Sequence, residues 1–484
     1  MAEDSNGCDD RNRLVTGKAI AKHPSIRTST VADTEDVAVK RIKLSLWGIS
    51  TLLTILWLAA EPGVFSADSF FGLRAALVQY SGLIAIGCMG MATILALRPR
   101  WPEAWFGGLD KMYRLHKWLG IAGLVAAIVH WLWAQGPKWA VGWGWLARPQ
   151  RGPRAIPDSS LEQSLRSLRG TAEWLGEWAF YAAVLLIALA LFKRLPYRMF
   201  FKTHRLLAIT YLVLVFHAVV LTDFAYWRLP IGWVMAPLLA ASAWAAVVVL
   251  LGRVAADRRV PGTISALHYF PGVRTLEVAI HVPQGWPGHK AGQFAFATSD
   301  RAEGAHPYTI ASAWNDAERR ITFVVKELGD HTRRLRERLA VGQAVTVEGP
   351  YGCFTFDDPC PHQIWVGGGI GVTPFIARMK FLAASVERPR QTIDFFHTTS
   401  EYDGDAIAKL TADAAAAGVR LHVLIDSRDG RLDGERIRAL VPEWRDASVW
   451  FCGPTGFGQA LRHDFAAHGL PVDQRFHQEL FAMR

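Results

Sequence analysis

The chain has 484 residues, 51% of them hydrophobic, with 20 Trp and a formal net charge of +10. Length alone suggests two to four domains. The basic balance is not read as a nucleic-acid footprint, because many Lys and Arg sit in short loops beside apolar segments, as at a cytoplasmic membrane face; no nucleic-acid partner is expected.

Residues 1–39 are polar and mixed in charge, and lack an apolar core. They read as a disordered cytoplasmic tail with no signal peptide. Residues 40–254 hold six apolar segments, at 44–60, 74–97, 118–135, 174–192, 204–222 and 231–251. A spanning helix needs about 20 mostly apolar residues, so this region is predicted to be a six-helix transmembrane bundle. Basic residues set its orientation. Lys40, Arg41 and Lys43 precede the first segment, and Arg98, Arg100, Lys111, Arg114 and Lys117 separate the second from the third. Lys193, Arg194, Arg198, Lys202 and Arg205 join the fourth to the fifth, and Arg253, Arg258 and Arg259 follow the sixth. All four groups fall on one side, which is therefore assigned to the cytoplasm. The opposite loop, 136–170, carries Lys138, Arg148, Arg151, Arg154, Arg166 and Arg169. It is either a solvated loop or a basic cap that attracts an anionic acceptor.

Residues 257–358 alternate short apolar runs with Gly and Pro turns, as expected of a small antiparallel β-barrel. Residues 360–484 alternate strand-like runs (364–366, 392–396, 421–425, 448–451) with helix-like ones, a doubly wound parallel α/β pattern. Cys8, Cys88, Cys353, Cys360 and Cys452 form neither a CxxC pair nor a zinc-like cluster. Four of the five lie in segments assigned to the cytosol, where thiols stay reduced.

The apolar half contains four histidines, His116, His130, His204 and His217, in two pairs spaced 14 and 13 residues apart. Each pair is expected on one broad helix face, with its members roughly 20 Å apart along the axis. That fits a bilayer core about 30 Å thick. Two helices offering histidines at two matching depths can hold two haems, each gripped by an imidazole from either side. Chain direction pairs His116 with His204 at the inner level and His130 with His217 at the outer. Ionisable groups at membrane depth are costly and usually functional.

These spacings, followed by a two-part C-terminal module, resemble the ferric reductase and NADPH oxidase superfamily over about residues 44–484. The resemblance implies FAD, two haem b groups, and NADPH or NADH as electron source. It implies that His306, Pro307, Tyr308 and Thr309 form the flavin motif, with Tyr308 standing where Phe is usual and Thr309 contacting the ring. It brings Gly329 and Thr332, in the string Lys326–Thr332, to the flavin pyrophosphate, where backbone amides at a helix start bind anions. A capped helix N-terminus would use the same residues. Glu348–Gly352 matches a turn near the domain junction. Gly367, Gly369 and Gly371 read as a phosphate-binding turn after a strand, with Thr373 as N-cap and Pro374 at the first helical position. Cys452, Gly453 and Pro454 are implied near the nicotinamide, and Phe481 as the aromatic covering the flavin. Thr399, Ser400 and Arg428 follow strands and are candidates for a 2′-phosphate.

The function expected is transfer of electrons from cytosolic NAD(P)H through FAD and two haems to an extracytoplasmic acceptor, oxygen or a ferric chelate. Two alternatives stand beside it: a reductase feeding a partner protein or quinone, and a haem-binding membrane sensor without turnover. No EF-hand loop occurs, which argues against direct calcium control.

Overall fold

A computed structural model describes residues 37–66, 69–147, 159–192, 194–300, 302–385 and 391–479. Among the described residues, six helices are long and apolar enough to cross a membrane. They are α1 (Val37–Ala60), α2 (Phe70–Leu95), α3 (Leu109–Gly142), α4 (Arg169–Leu191), α5 (Tyr197–Leu221) and α6 (Pro230–Leu250). Trp47, Trp174, Trp178, Trp233 and Trp244 are each more than 60% exposed on these helices. So much apolar surface would promote aggregation in water, whereas in a bilayer it is the solvated face. The chain is an integral membrane protein.

Several helices start earlier than hydropathy predicts, α1 at Val37 rather than 44 among them. α3 begins at Leu109 rather than 118, and α5 at Tyr197 rather than 204. Asp110, Lys111, Arg114 and Lys117 lower the local hydropathy, yet the face opposite them is apolar. Leu109, Met112 and Leu115 are buried, packed with Phe294, Phe296 and Tyr351 of the C-terminal module. The first turns of α3 are therefore an amphipathic extension that docks that module. His116 lies within the helix, not ahead of it.

After α6 comes a six-stranded antiparallel sheet: β1 (Arg259–Phe270), β2 (Thr275–His281), β3 (Phe294–Thr298), β4 (His306–Thr309), β5 (Arg320–Lys326) and β6 (Ala344–Tyr351), in the order β4-β3-β6-β1-β2-β5. An isolated bridge from Ile310 to Phe323 joins the two edges, closing the sheet into a barrel. Helix α7 (Asp330–Arg338) follows β5. A five-stranded parallel sheet comes next: β7 (His362–Gly368), β8 (Thr392–Thr399), β9 (Arg420–Ile425), β10 (Ala447–Cys452) and β11 (Phe476–Gln478), in the order β11-β10-β7-β8-β9. Its central strands are buried throughout, because helices cover both faces. In this order the chain runs outward from β7 through β8 to β9, then returns to the other side of β7. The crevice beyond the carboxyl ends of β7 and β10 is thus the switch point at which open α/β sheets bind ligands.

Candidate functional site

The four membrane histidines meet in the expected pairs. The rings of His116 and His204 lie 5.9 Å apart between centroids, inclined at 68°; those of His130 and His217 lie 6.2 Å apart at 85°. His116 Nδ1 is 2.8 Å from the Ala92 carbonyl, His130 Nδ1 is 2.9 Å from that of Val78, and His217 Nδ1 is 2.8 Å from that of Ala172. A carbonyl only accepts, so each of these Nδ1 atoms carries the proton and each Nε2 keeps its lone pair. Backbone carbonyls are frequent orienting partners of metal-binding imidazoles. Two imidazoles on opposite sides of one metal, each with a nitrogen about 2 Å from it, have centroids about 6 Å apart. Both pairs match that spacing.

The expectation of a shared face holds for α3, whose two histidines both reach carbonyls of α2. On α5 both histidines also meet those of α3, but their support differs. His217 is held by α4, whereas the His204 ring stacks on Phe200 of its own helix at 5.1 Å and 16°. His204 Nδ1 has no hydrogen-bond partner among the described residues.

Two glycines missed in the sequence make room for the outer pair. A Cβ at Gly176 would stand 1.9 Å from His217 Nδ1, and one at Gly82 would stand 3.2 Å from the His130 ring. Glycine is common in apolar helices, so only the facing ring reveals what these two do.

In the barrel, β4 presents His306 and Tyr308 on one face and Pro307 and Thr309 on the other. Thr309 is buried, and its backbone pairs with Phe294. Tyr308 borders a small cavity lined by Val278, Phe323 and Leu335, and its hydroxyl has no partner among the described residues. Burial raises its pKa above the ordinary phenol value. His306 stacks on His331 at 3.7 Å and 5°, and lies 4.4 Å from the Tyr197 ring. Burial, and then His331, pushes His306 down to about 3, and burial also lowers His331. Glu303 lies close enough to these two imidazoles to suggest a cation site. Parallel stacked rings, however, hold their lone pairs in parallel planes that cannot converge on one ion. Gly329 is extended, with φ −142°. Its amide and that of Leu328 both donate to Thr332 Oγ1 at 3.0 Å. The helix-capping use of Thr332 is therefore the one observed.

At the switch point, the turn after β7 and the turn after β10 press together. A Cβ on Gly371 would lie 2.1 Å from the Cys452 carbonyl oxygen, and one on Gly368 would lie 2.9 Å from Pro454 Cδ. Gly369 has φ +56°, the left-handed region that favours glycine. Gly367 and Gly368 form the buried end of β7, and Gly453 packs on Gly368. Thr373 is not the N-cap. Helix α8 (Thr373–Ala384) starts at Thr373, with Pro374 second, because a 3₁₀ turn over Gly369–Val372 precedes it and the Thr373 hydroxyl donates 2.7 Å to the Ile370 carbonyl. Cys452 is fully buried, and burial raises its thiol well above the ordinary range, the Glu479 carboxyl adding to the effect. Such a thiol is a packing group rather than a thiolate. Sequence reading passed over Glu479 as a site residue; it is buried and its own carboxyl is pushed up by burial. Phe481 lies outside the described residues. Of the 2′-phosphate candidates, Thr399 is buried and its hydroxyl donates 2.9 Å to the Glu401 carbonyl. Arg428 is engaged by the adjacent Asp429 at 2.9 Å, and Ser400 is exposed in the same loop.

The junction segment Glu348–Gly352, of which Glu348–Tyr351 is the end of β6 and not the expected turn, holds the largest surprise. Glu348, 3% exposed, accepts from Arg98, from Arg259 Nε at 2.9 Å and from the Tyr351 hydroxyl at 2.9 Å. Arg98 also donates 2.6 Å to the Tyr113 hydroxyl and lies 3.9 Å over the Phe296 ring. Glu103 accepts from the Gly352 amide at 2.8 Å. These contacts clamp the barrel to the ends of α2 and α3. In the opposite loop, Arg166 pairs with Glu162 and Arg169 with Glu173; Arg148, Arg151 and Arg154 lie outside the described residues.

Residues 81–215 match the model of the ferric reductase like transmembrane component, and residues 263–355 that of an FAD-binding domain. The chain is 30% identical over 188 residues to the NADPH oxidoreductase of Mycobacterium tuberculosis, covering 37% of this chain and 47% of that protein. It is 27% identical over 178 residues to a flavohemoprotein of a Burkholderia species, covering 34% and 44%. The solved flavohemoglobin of Malassezia yamatoensis, with bound FAD and heme, is 18% identical and covers 84% of this chain and 98% of its own, at a TM-score of 0.43. The chain spans about half the length of the curated relatives it matches. The two family models show a ferric reductase like transmembrane component over residues 81–215 and an FAD-binding domain over residues 263–355.

Proposed function

We propose that this protein is a transmembrane oxidoreductase that draws electrons from NAD(P)H at its C-terminal module and delivers them across the bilayer to oxygen or a ferric chelate. The single observation that carries the reading is the pair of opposed imidazoles at each of two levels, 5.9 and 6.2 Å apart. His116 with His204, and His130 with His217, would hold two haem b groups, and the spacing and protonation of the rings fit that ligation. When bound, FAD turns the two-electron hydride of NAD(P)H into single electrons and the haems accept these one at a time.

The chain's own residues do the rest. The Gly367–Gly371 and Cys452–Pro454 turns form the floor of the switch-point crevice for the dinucleotide. His306–Thr309 and the Gly329–Thr332 helix start line the flavin side of the barrel, where the orphaned Tyr308 hydroxyl supplies a polar group for a ligand. The clamp through Arg98 and Glu348 holds that side against the helices carrying the inner histidines. His130 and His217 together would hold the outer haem and would leave an acceptor no coordination position there, so acceptor choice would fall to the outer surface. The basic groups beside the C-terminal module support a cytoplasmic placement for it. An outward electron then gains about 2.3 kcal/mol per 100 mV of membrane potential.

A second reading, a quinone reductase, has one observation in its favour. An apolar groove of about 410 Å³ along the C-terminal part of α3 is lined by Phe70, Val129, Leu132, Trp133 and Ala140. Acceptor-dependent turnover tests both readings: NAD(P)H oxidation by the purified protein is followed with oxygen, with and without superoxide dismutase, with ferric citrate, and with a short-chain quinone. Preference for the quinone alone would overturn the first reading.

A further inference from the structure

The aromatic rings at the cytoplasmic end of α5 form a continuous series. His331 stacks on His306 at 3.7 Å, His306 on Tyr197 at 4.4 Å, Tyr197 neighbours Phe200 at 6.3 Å, and Phe200 stacks on His204 at 5.1 Å. The series runs from the start of α7 through His306 of the barrel's flavin motif and ends on an inner membrane histidine. Its middle is built by helix geometry, because residues 197, 200 and 204 are spaced i, i+3 and i+7 and so share one face of α5. The Tyr197 hydroxyl donates 2.8 Å to the Ala305 carbonyl, tying this face to the residue before β4. Tyr197 and Phe200 are half-buried. Neither belongs to any motif in the sequence.

The other inner histidine has no equal route. His116 has Tyr113 at 6.4 Å, edge-on, and beyond Tyr113 the next group toward the barrel is the Arg98 guanidinium. A fixed cation there interrupts the ring series and disfavours a neighbouring oxidised group. His204, by contrast, is the one membrane histidine whose support is an aromatic ring rather than a carbonyl.

We propose that Tyr197 and Phe200 are the relay that couples the flavin side of the barrel to the inner histidine pair, a proposal that rests on the electron-transfer reading above. Each transfer through them removes one electron from a reduced flavin and turns one ferric iron ferrous. Two transfers, with the flavin's proton released to water, return the flavin to its oxidised form. Tyr197 and Phe200 keep their own electrons and protons, and serve as medium and as positioning residues.

The test is anaerobic stopped-flow mixing of NADPH with the purified full-length protein, reading flavin bleaching and haem reduction separately in Tyr197→Leu, Phe200→Leu and Tyr197→Phe. Haem and flavin content are measured first. Flavin bleaching is expected at the wild-type rate in all three. Haem reduction is expected to slow by about an order of magnitude in both leucine variants and to recover in Tyr197→Phe, since orientation and medium are what the protein supplies to a cofactor. Wild-type haem reduction in Tyr197→Leu would overturn the proposal. Loss of haem from both leucine variants would overturn it too, because the rings would then be holding a ligand rather than carrying electrons. If the wild-type flavin bleaches and its haem never responds, the electron-transfer reading itself fails, independently of the variants.

Discussion

Replacing Gly176 by Ala puts a methyl group where the His217 ring now lies. The added carbon would be 1.9 Å from Nδ1, 2.5 Å from Cε1 and 2.6 Å from Cγ, whereas ordinary contact begins at 3.4 Å, so the ring must retreat by about 1.5 Å. That movement breaks its 2.8 Å bond to the Ala172 carbonyl. The lost hydrogen bond costs about 1 kcal/mol and the overpacking about 1–3 kcal/mol. Together these weaken the outer site by about thirtyfold to several hundredfold. The assay is haem per chain after purification, with haem release followed by transfer to excess apomyoglobin. Gly176→Ala is expected to keep the inner haem and its flavin and to lose the outer haem. Gly82→Ala, at 3.2 Å from His130, should release haem only modestly faster, and Gly170→Ala, with nothing within 4 Å, should match wild type. Wild-type haem content and release in Gly176→Ala would refute the assignment of His217, and so would equal losses in all three variants.

Other consequences follow from the same geometry. Glu348→Gln leaves Arg98 and Arg259 facing a neutral group in a buried site, at a cost of about 3 kcal/mol; hydrogen exchange should quicken at residues 98–106 and 348–352, and unchanged exchange would contradict the clamp. Gly371→Ala forces a methyl to 2.1 Å from the Cys452 carbonyl and should abolish NAD(P)H-driven flavin bleaching, whereas dithionite still bleaches the flavin; equal rates with both reductants would count against the switch-point site. Burial, the first cause for each, holds His289 and His397 down to about 4. The unfolded chain, with His near 6.5, therefore binds more protons between about pH 4 and 6.5, and this stability is full above about 6.5 and lost as pH falls through that window. The thermal midpoint should drop over that range, and His397→Gln should flatten the slope; an identical slope in the variant would contradict the burial argument.

How far sequence could see depended on how local each signal was. The four histidines stood out because ionisable groups are rare in apolar runs, and their pairing followed from chain direction alone. The start of α3 was hidden, because Asp110, Lys111 and Lys117 lower hydropathy while Leu109, Met112 and Leu115 on the other face dock the barrel, and that of α5 because Arg198 and Lys202 lower it there. Arg98 and Glu348 are 250 positions apart, and no local pattern joins them. The Gly367–Gly371 turn was legible as a string, but its contact with Cys452 depends on the order of strands in the sheet. Thr332, Thr373 and Arg428 show the limit of composition: each polar side chain offered to a ligand is engaged by a neighbour a few residues away. The helical stripe of 197, 200 and 204 was available in the sequence, yet it gains meaning only once His306 is seen against Tyr197.

The central claim is that two imidazole pairs carry electrons delivered by a flavin. Anaerobic addition of NADPH to the purified protein in lipid nanodiscs, followed by optical spectroscopy and haem quantitation, tests it most directly. The account predicts two haem b per chain, both reduced after the flavin bleaches, and one per chain in His130→Ala or His217→Ala with flavin bleaching intact. Fewer than two haems in the wild-type protein, or haem that stays oxidised beneath a fully reduced flavin, would contradict it.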